Sequence, residues 1–241
     1  MAEADARAWE EHFKRSAECS VHLPPRSPGC ISGAERAVVS ASIQAFQLGE
    51  TGGGSFLLRA AERRAERRGD FPYVSALKLF IAEEQRHARD LGYFMRQEGI
   101  PAMPTHWTNT AFRMVRKMMG IELRIVTLLT AELIAMSYYR ALGRATNAPF
   151  LRALCRKILR DEASHIRFQS SMLRQLRRHR PRWIVSVELS LQRALLLLTL
   201  WAVWSGHRRC FTAGGYTLAR VNRESQQWLT RLTASKQLVA R

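Results

Sequence analysis

The chain has 241 residues, an apolar fraction of 46% and a formal charge of +18, with a pI of about 11.1. That length suits one domain with room for a small extension, and the apolar content is enough to bury a core without disulfide or zinc staples. Cys19, Cys30, Cys155 and Cys210 form no C-x-x-C pair, so they read as neither a zinc site nor a disulfide framework, and a cytoplasmic protein is expected.

The opening MAEADARAWEEHF carries acids and no apolar run, so a secretory signal is not expected. Residues 3–19 are expected to form a short amphipathic helix with Trp9 and Phe13 on one side, ended by prolines 24, 25 and 28. Ser32-x-x-Glu35 is a capping box that opens the first long helix, which runs to about Arg68 before Gly69. Thr51-Gly52-Gly53-Gly54 falls in its middle. Each glycine costs roughly 1 kcal/mol against alanine in a helix, so a break or bulge is expected there. A second helix is expected from about Tyr73 to Gln97, stopped by Gly99-Ile100-Pro101. A connection over 98–109 leads to a third helix over about 110–142. Asn147 is expected to cap a fourth, which reaches about His179 before Pro181.

A fifth, apolar helix covers about 183–205. Its longest apolar stretch, Ala194 to Trp204, falls short of the ~20 residues of a membrane span. Glu188 and Arg193 break the wider segment, so no transmembrane helix is expected. Gly214-Gly215 marks a turn before a last short helix over about 217–230. Period-two alternation is almost absent, so the class is all-α. The chain divides into an N-terminal helical extension (1–30), a bundle (31–180) and a C-terminal helical extension packed on it (181–241).

A weak internal repeat carries the chemistry. A Glu followed by E-x-x-H occurs at 50, 84 and 87, and again at 132, 162 and 165, with Glu-to-Glu spacings of 34 and 30 residues. These spacings differ by about one helical turn, so both pairs can bring their carboxylates to one level of a bundle. Glu and His three apart share a helix face and can bind one cation. A single such pair could equally be a solvated ion pair, but the faces around these pairs are apolar. Glu84 is flanked on its own face by Leu77, Phe80, Ile81, Leu91 and Met95. Glu162 is flanked by Cys155, Ile158, Leu159 and Leu173, Glu132 by Ile125, Leu128, Leu129 and Tyr139, and Glu50 by Val39, Ile43 and Phe46. Four unpaired buried carboxylates would each cost several kcal/mol. No basic residue lies on these stripes, and two divalent cations would neutralise them.

One Glu on each of two helices and Glu-x-x-His on each of the other two is the di-metal pattern of ferritin-like bundles. By the segments FQLGE, FIAEEQRHARD, LLTAELIAMSYY and LRDEASHIRFQ, in that order, residues 35–175 resemble the ferritin-like superfamily of di-iron carboxylate proteins, and bacterial members of unassigned activity above all. The resemblance implies a ferritin-like four-helix bundle with a long crossover between helices two and three and additional C-terminal helices. It implies two iron ions, or manganese, or a mixed pair, held by Glu50, Glu84, His87, Glu132, Glu162 and His165. In related di-iron enzymes the acid preceding E-x-x-H hydrogen-bonds a ligand histidine. The matching positions are Glu83 and Asp161, which could instead be surface acids.

Departures from the relatives narrow the reading. The position of the ribonucleotide reductase radical tyrosine is Leu91, and that of the multicomponent monooxygenase threonine is Met136. Rubredoxin-type cysteines are absent, and storage ferritins lack the second E-x-x-H. The implied activity is therefore that of a dioxygen-dependent oxidase or monooxygenase acting on a small or lipidic organic substrate with an external electron donor. The alternatives are a ferroxidase or peroxide scavenger and a tRNA-modifying hydroxylase. The +18 charge suits nucleic acid or a membrane surface, but only five of the 38 basic residues are Lys, and such an arginine bias can reflect genome composition alone. The surplus apolar surface of the fifth helix suits an extra core helix, a homodimer interface or peripheral membrane docking.

Overall fold

A computed structural model describes residues 3–18, 30–51, 54–104 and 120–234. Among the described residues every regular element is a helix, and there is no strand. In chain order the helices are α1 (Glu3–Glu18), α2 (Gly33–Glu50), α3 (Ser55–Arg68), α4 (Phe71–Gln97), α5 (Ile121–Ala145), α6 (Pro149–Arg177), α7 (Arg182–Ala213) and α8 (Leu218–Ala234).

Local chemistry sets most of these boundaries. Ser32 Oγ accepts the Glu35 N–H at 3.2 Å while the Glu35 carboxylate accepts the Ser32 N–H at 2.9 Å, which completes the capping box. The other Glu35 oxygen accepts the Asn147 N–H at 2.5 Å and so ties the start of α2 to the α5–α6 turn. These backbone donors pull the Glu35 carboxyl below its usual range. Asn147 lies one residue before the cap position and does not cap α6. The cap is Ala148, with Pro149 at the first helical position, where its missing N–H costs nothing. The expected interruption near 51–54 separates α2 from α3 as two helices. Gly120 is extended (φ −64°, ψ 170°), so α5 starts at Ile121 and no helix continues through this position from 110. The 105–119 part of that expectation lies outside the described residues. α7 reaches Ala213, beyond the expected end near 205.

Helices α2, α4, α5 and α6 surround the core, with contacts α5–α6, α2–α4, α4–α6 and α2–α5. α1 lies on α4, α7 lies on α2 and α5, and α8 covers α5 and α7. The end of α7 approaches the α5 backbone so closely that a Cβ on Gly214 would sit 2.2 Å from the Ala141 carbonyl oxygen. By length and composition α7 could cross a membrane: an 18-residue window has mean hydropathy 1.5, with 22% of it buried. Its inner side is nonetheless committed to the protein, with Leu196, Leu200, Cys210 and Phe211 in the core.

Candidate metal centre

Each of the four core helices delivers its acid from the middle of an apolar stripe. Leu77, Phe80, Leu91 and Met95 around Glu84, and Cys155 and Ile158 around Glu162, are fully buried. So are Ile125 and Tyr139 around Glu132, and Val39 and Ile43 around Glu50. The apolar faces fix the helix rotations and thereby converge the acids. Two overlapping groups result. Glu50, Glu84, His87 and Glu162 place one ligand-type atom each within 4.8 Å of the others, and Glu132, Glu162 and His165 do the same. Glu162 belongs to both groups, and Glu84 Oε1 approaches to 2.8 Å from His165 Nδ1.

Both imidazoles are held from outside the cluster. His87 Nε2 lies 2.9 Å from Asp161 Oδ2, and His165 Nε2 lies 2.9 Å from Glu83 Oε2. The arrangement is crossed: the acid beside each E-x-x-H supports the histidine of the other. A carboxylate at Nε2 favours a proton there and turns Nδ1 inward. Both Nδ1 atoms, both Glu132 oxygens, Glu84 Oε1 and Glu162 Oε2 are buried with no hydrogen-bond partner outside the cluster, and the closest approach among them is His165 Nδ1 to Glu84 Oε1. Buried carboxyl and imidazole atoms that face mainly one another are costly unless a cation completes them, and this oxygen–nitrogen donor set fits divalent iron or manganese.

The electrostatics carry the same signature. The Glu50 carboxyl is pushed well above its usual range by burial and then by Glu84 and Glu162. Glu132 is raised by burial and then by Glu162, and Glu162 by burial and then by Glu84. Burial also opposes ionisation of Glu84, but His165 outweighs it and holds that carboxyl below its usual range. Burial disfavours a charged His165, yet Glu162, Glu83 and Glu84 together raise it well above 6.5.

Several supporting groups carry no signal as a motif. Ser16 of α1 donates to Glu83 Oε1 at 2.6 Å, and Arg86 donates to the same oxygen at 2.5 Å while lying 3.8 Å from Asp161. Burial alone would raise Glu83, but His165, Ser16 and Arg86 bring it to about 2, so it stays ionised. Phe13 packs 6.0 Å from His165 and 5.3 Å from Phe168, ring centre to ring centre, so α1 roofs this side of the cluster. The Tyr139 hydroxyl donates a hydrogen bond to Glu50. Tyr139 sits seven residues after Glu132, on its own face of α5, which is the one clue the sequence offers.

A cavity of about 150 Å³ opens directly on the acids. Glu50, Glu84, Glu132 and Glu162 form one side, and Phe46, Leu128, Ala131, Ile134, Ala135 and Val203 line the rest. Thr127, Thr199 and His207 add polar groups. His207 lies just past the expected end of the fifth helix. In the structure it is part of α7 and buried, with Nδ1 3.0 Å from Ser42 Oγ. The described residues thus form a helical bundle with a buried Glu/His cluster that could bind a metal, compatible with a ferritin-like fold. Comparison with protein-family models, curated proteins and solved structures returns no match.

Proposed function

We propose that the cluster holds two iron or manganese ions in a ferritin-like centre, and that the chain is a dioxygen-dependent oxidase or monooxygenase of a small, mainly apolar organic molecule. The observation that carries this reading is the apolar cavity sharing a wall with the acids. An iron-handling or peroxide-scavenging site would call for an acidic, solvent-open approach, whereas Phe46, Leu128, Ile134 and Val203 make this one apolar.

Such ions, when bound, supply electrons for reducing dioxygen. Glu50, Glu84, His87, Glu132, Glu162 and His165 would hold them. Asp161 and Glu83 fix the two rings and keep Nδ1 aimed inward. The Tyr139 hydroxyl holds a proton at Glu50 and orients that carboxylate. The apolar wall excludes water from the substrate space. An apolar cavity of ~150 Å³ takes a ligand of about benzene size, so a lipidic substrate would enter with only one end. Electrons come from an external donor.

Anaerobic reconstitution with ferrous iron, followed by oxygen and monitored by optical and Mössbauer spectroscopy, tests the reading. The expected result is two irons per chain that oxidise together as a coupled pair. A single tightly bound ion, or zinc alone across several preparations, would overturn it.

A further inference from the structure

We propose that the outer face of α7 is a self-complementary surface that pairs two copies of this chain antiparallel, about a two-fold axis at Ala194. α7 buries one side in its own bundle and leaves an uncharged apolar stripe outside. Trp183 is 70% exposed, Leu198 69% and Trp201 67%, and Val187, Leu191 and Leu197 are exposed beside them. Val187, Leu191, Ala194, Leu198, Trp201 and Ser205 follow one another at steps of four, three, four, three and four. That is the spacing of a helix laid at a shallow angle along another helix. Between Trp183 and Trp201 the stripe runs for about 27 Å at the helical rise.

Its order is what selects the partner. Ala194 lies midway between Leu191 and Leu197, between Val187 and Trp201, and between Trp183 and Ser205. A two-fold axis there sets Ala194 against itself, Leu against Leu, the Trp201 indole against Val187, and the Trp183 indole against Ser205. Each large ring meets a smaller residue, and the small residue at the centre lets the backbones approach. An isologous dimer requires this pattern, in which i meets j and j meets i. With each Trp covering ~150–250 Å² and each Leu or Val somewhat less, the stripe offers on the order of 700 Å² per protomer, near the ~800 Å² per partner of a stable association.

A lipid surface has no use for that order. Helices that lie in a membrane interface also carry a basic polar face along their length. Between Trp183 and His207 the only basic residue of α7 is Arg193, and the side opposite the stripe is protein core. Thr199, Val203 and His207 of the same helix line the cavity, so a second copy would brace the cavity wall from behind.

Sedimentation velocity and light scattering on the full chain at micromolar concentration test this pairing. The expected mass is twice 27.6 kDa, falling to the single-chain value in Ala194→Arg and in Trp201→Glu with unchanged circular dichroism. Should either variant misfold, cysteine pairing decides. Ala194→Cys should form a disulfide dimer under mild oxidant and so should the double variant Trp183→Cys/Ser205→Cys, while Thr212→Cys, beyond the overlap, should not. A wild-type monomer, a dimer that keeps its mass in well-folded Ala194→Arg, or cross-linking by Thr212→Cys in place of Ala194→Cys would overturn the proposal. So would a monomer that floats with vesicles of equal phosphatidylglycerol and phosphatidylcholine and loses them in Trp201→Glu, which would assign the stripe to lipid.

Discussion

Glu132 is the acid with the least support: both of its oxygens are buried and unpartnered, and burial together with Glu162 disfavours its charge. Replacing it by an apolar residue of similar size should relieve that cost. Metal-free Glu132→Leu is expected to melt at or above wild type, by about 2–4 °C for each kcal/mol regained in a domain of this size. The metal-loaded variant should melt lower than loaded wild type, because a ligand of the native state at about 100 times its Kd adds about 2.7 kcal/mol that the variant cannot recruit. Glu122→Ala is the control. Glu122 bonds Arg177 at 2.8 Å and Arg180 at 2.7 Å, far from the cluster's donor set. Its loss should lower both melting temperatures together by about 1–3 kcal/mol of stability and leave metal content alone. Calorimetry with metal analysis reads all of this, and an empty site in Glu122→Ala would mean that α5 is rotated from the register described. Asp161→Ala should weaken binding of the ion nearest His87 about 10–100-fold while sparing its neighbour, as measured by competition titration. The six inward residues are legible in the sequence because each needs only its own helix face. The crossed support is not: that Glu83 reaches His165 and Asp161 reaches His87 depends on how α4 and α6 face each other, which no single-helix pattern encodes.

At the scale of elements, the periodicity of α2, α4 and α6 reads directly from sequence because each has one strongly apolar face. The elements that differ from expectation do so for local reasons. Gly120 adopts an extended conformation, and with Pro149 opening α6 the cap position falls on Ala148 and not on Asn147. α1 reads as an appendage, yet it supplies Phe13 and Ser16 to the back of the His165–Glu83 pair. Ser16→Ala should therefore weaken metal binding modestly while leaving the fold intact, since Arg86 still holds Glu83. The Gly214–Gly215 turn is legible as a turn, but not as a contact. Gly214→Ala forces a Cβ into the Ala141 carbonyl, where only backbone could move aside. It is expected to cost about 1–3 kcal/mol, the range for overpacking, and to appear in chemical denaturation as a lower midpoint at unchanged slope. An unchanged midpoint would show that the α5–α7 approach is looser than described.

For the whole molecule, pH and metal act on the same buried charges, and the sign of the effect follows from which pKa values move. Glu50, Glu132 and Glu162 are raised by burial and by neighbouring acids. Unfolded glutamates ionise near 4.3, so above about that pH the metal-free native state keeps protons that the unfolded chain has released, and stability falls as pH rises. His165 acts in the same direction: its raised value adds stability that is complete below about 6.5 and lost as pH climbs through the folded value. Glu83 and Glu84 are lowered, so their contribution is complete above about 4.5 and fades only in acid. Between pH 5 and 8 they add no slope. The metal-free protein is therefore expected to melt progressively lower from pH 5 to pH 8. Ligand atoms must be deprotonated to bind a cation, so metal affinity rises over the same interval. The gap between loaded and metal-free melting temperatures should widen with pH. Self-repulsion of a chain with net charge +18 works the other way, since it is greatest when the histidines are charged at low pH. Glu132→Leu separates the two effects: it moves the formal charge only from +18 to about +19 but removes one raised carboxyl, so its metal-free melting curve should be flatter against pH than that of wild type. Differential scanning calorimetry at four pH values, with and without ferrous or manganous ion, gives the comparison. A metal-free melting temperature that climbs with pH in wild type and equally in Glu132→Leu would show that these acids do not share one buried site.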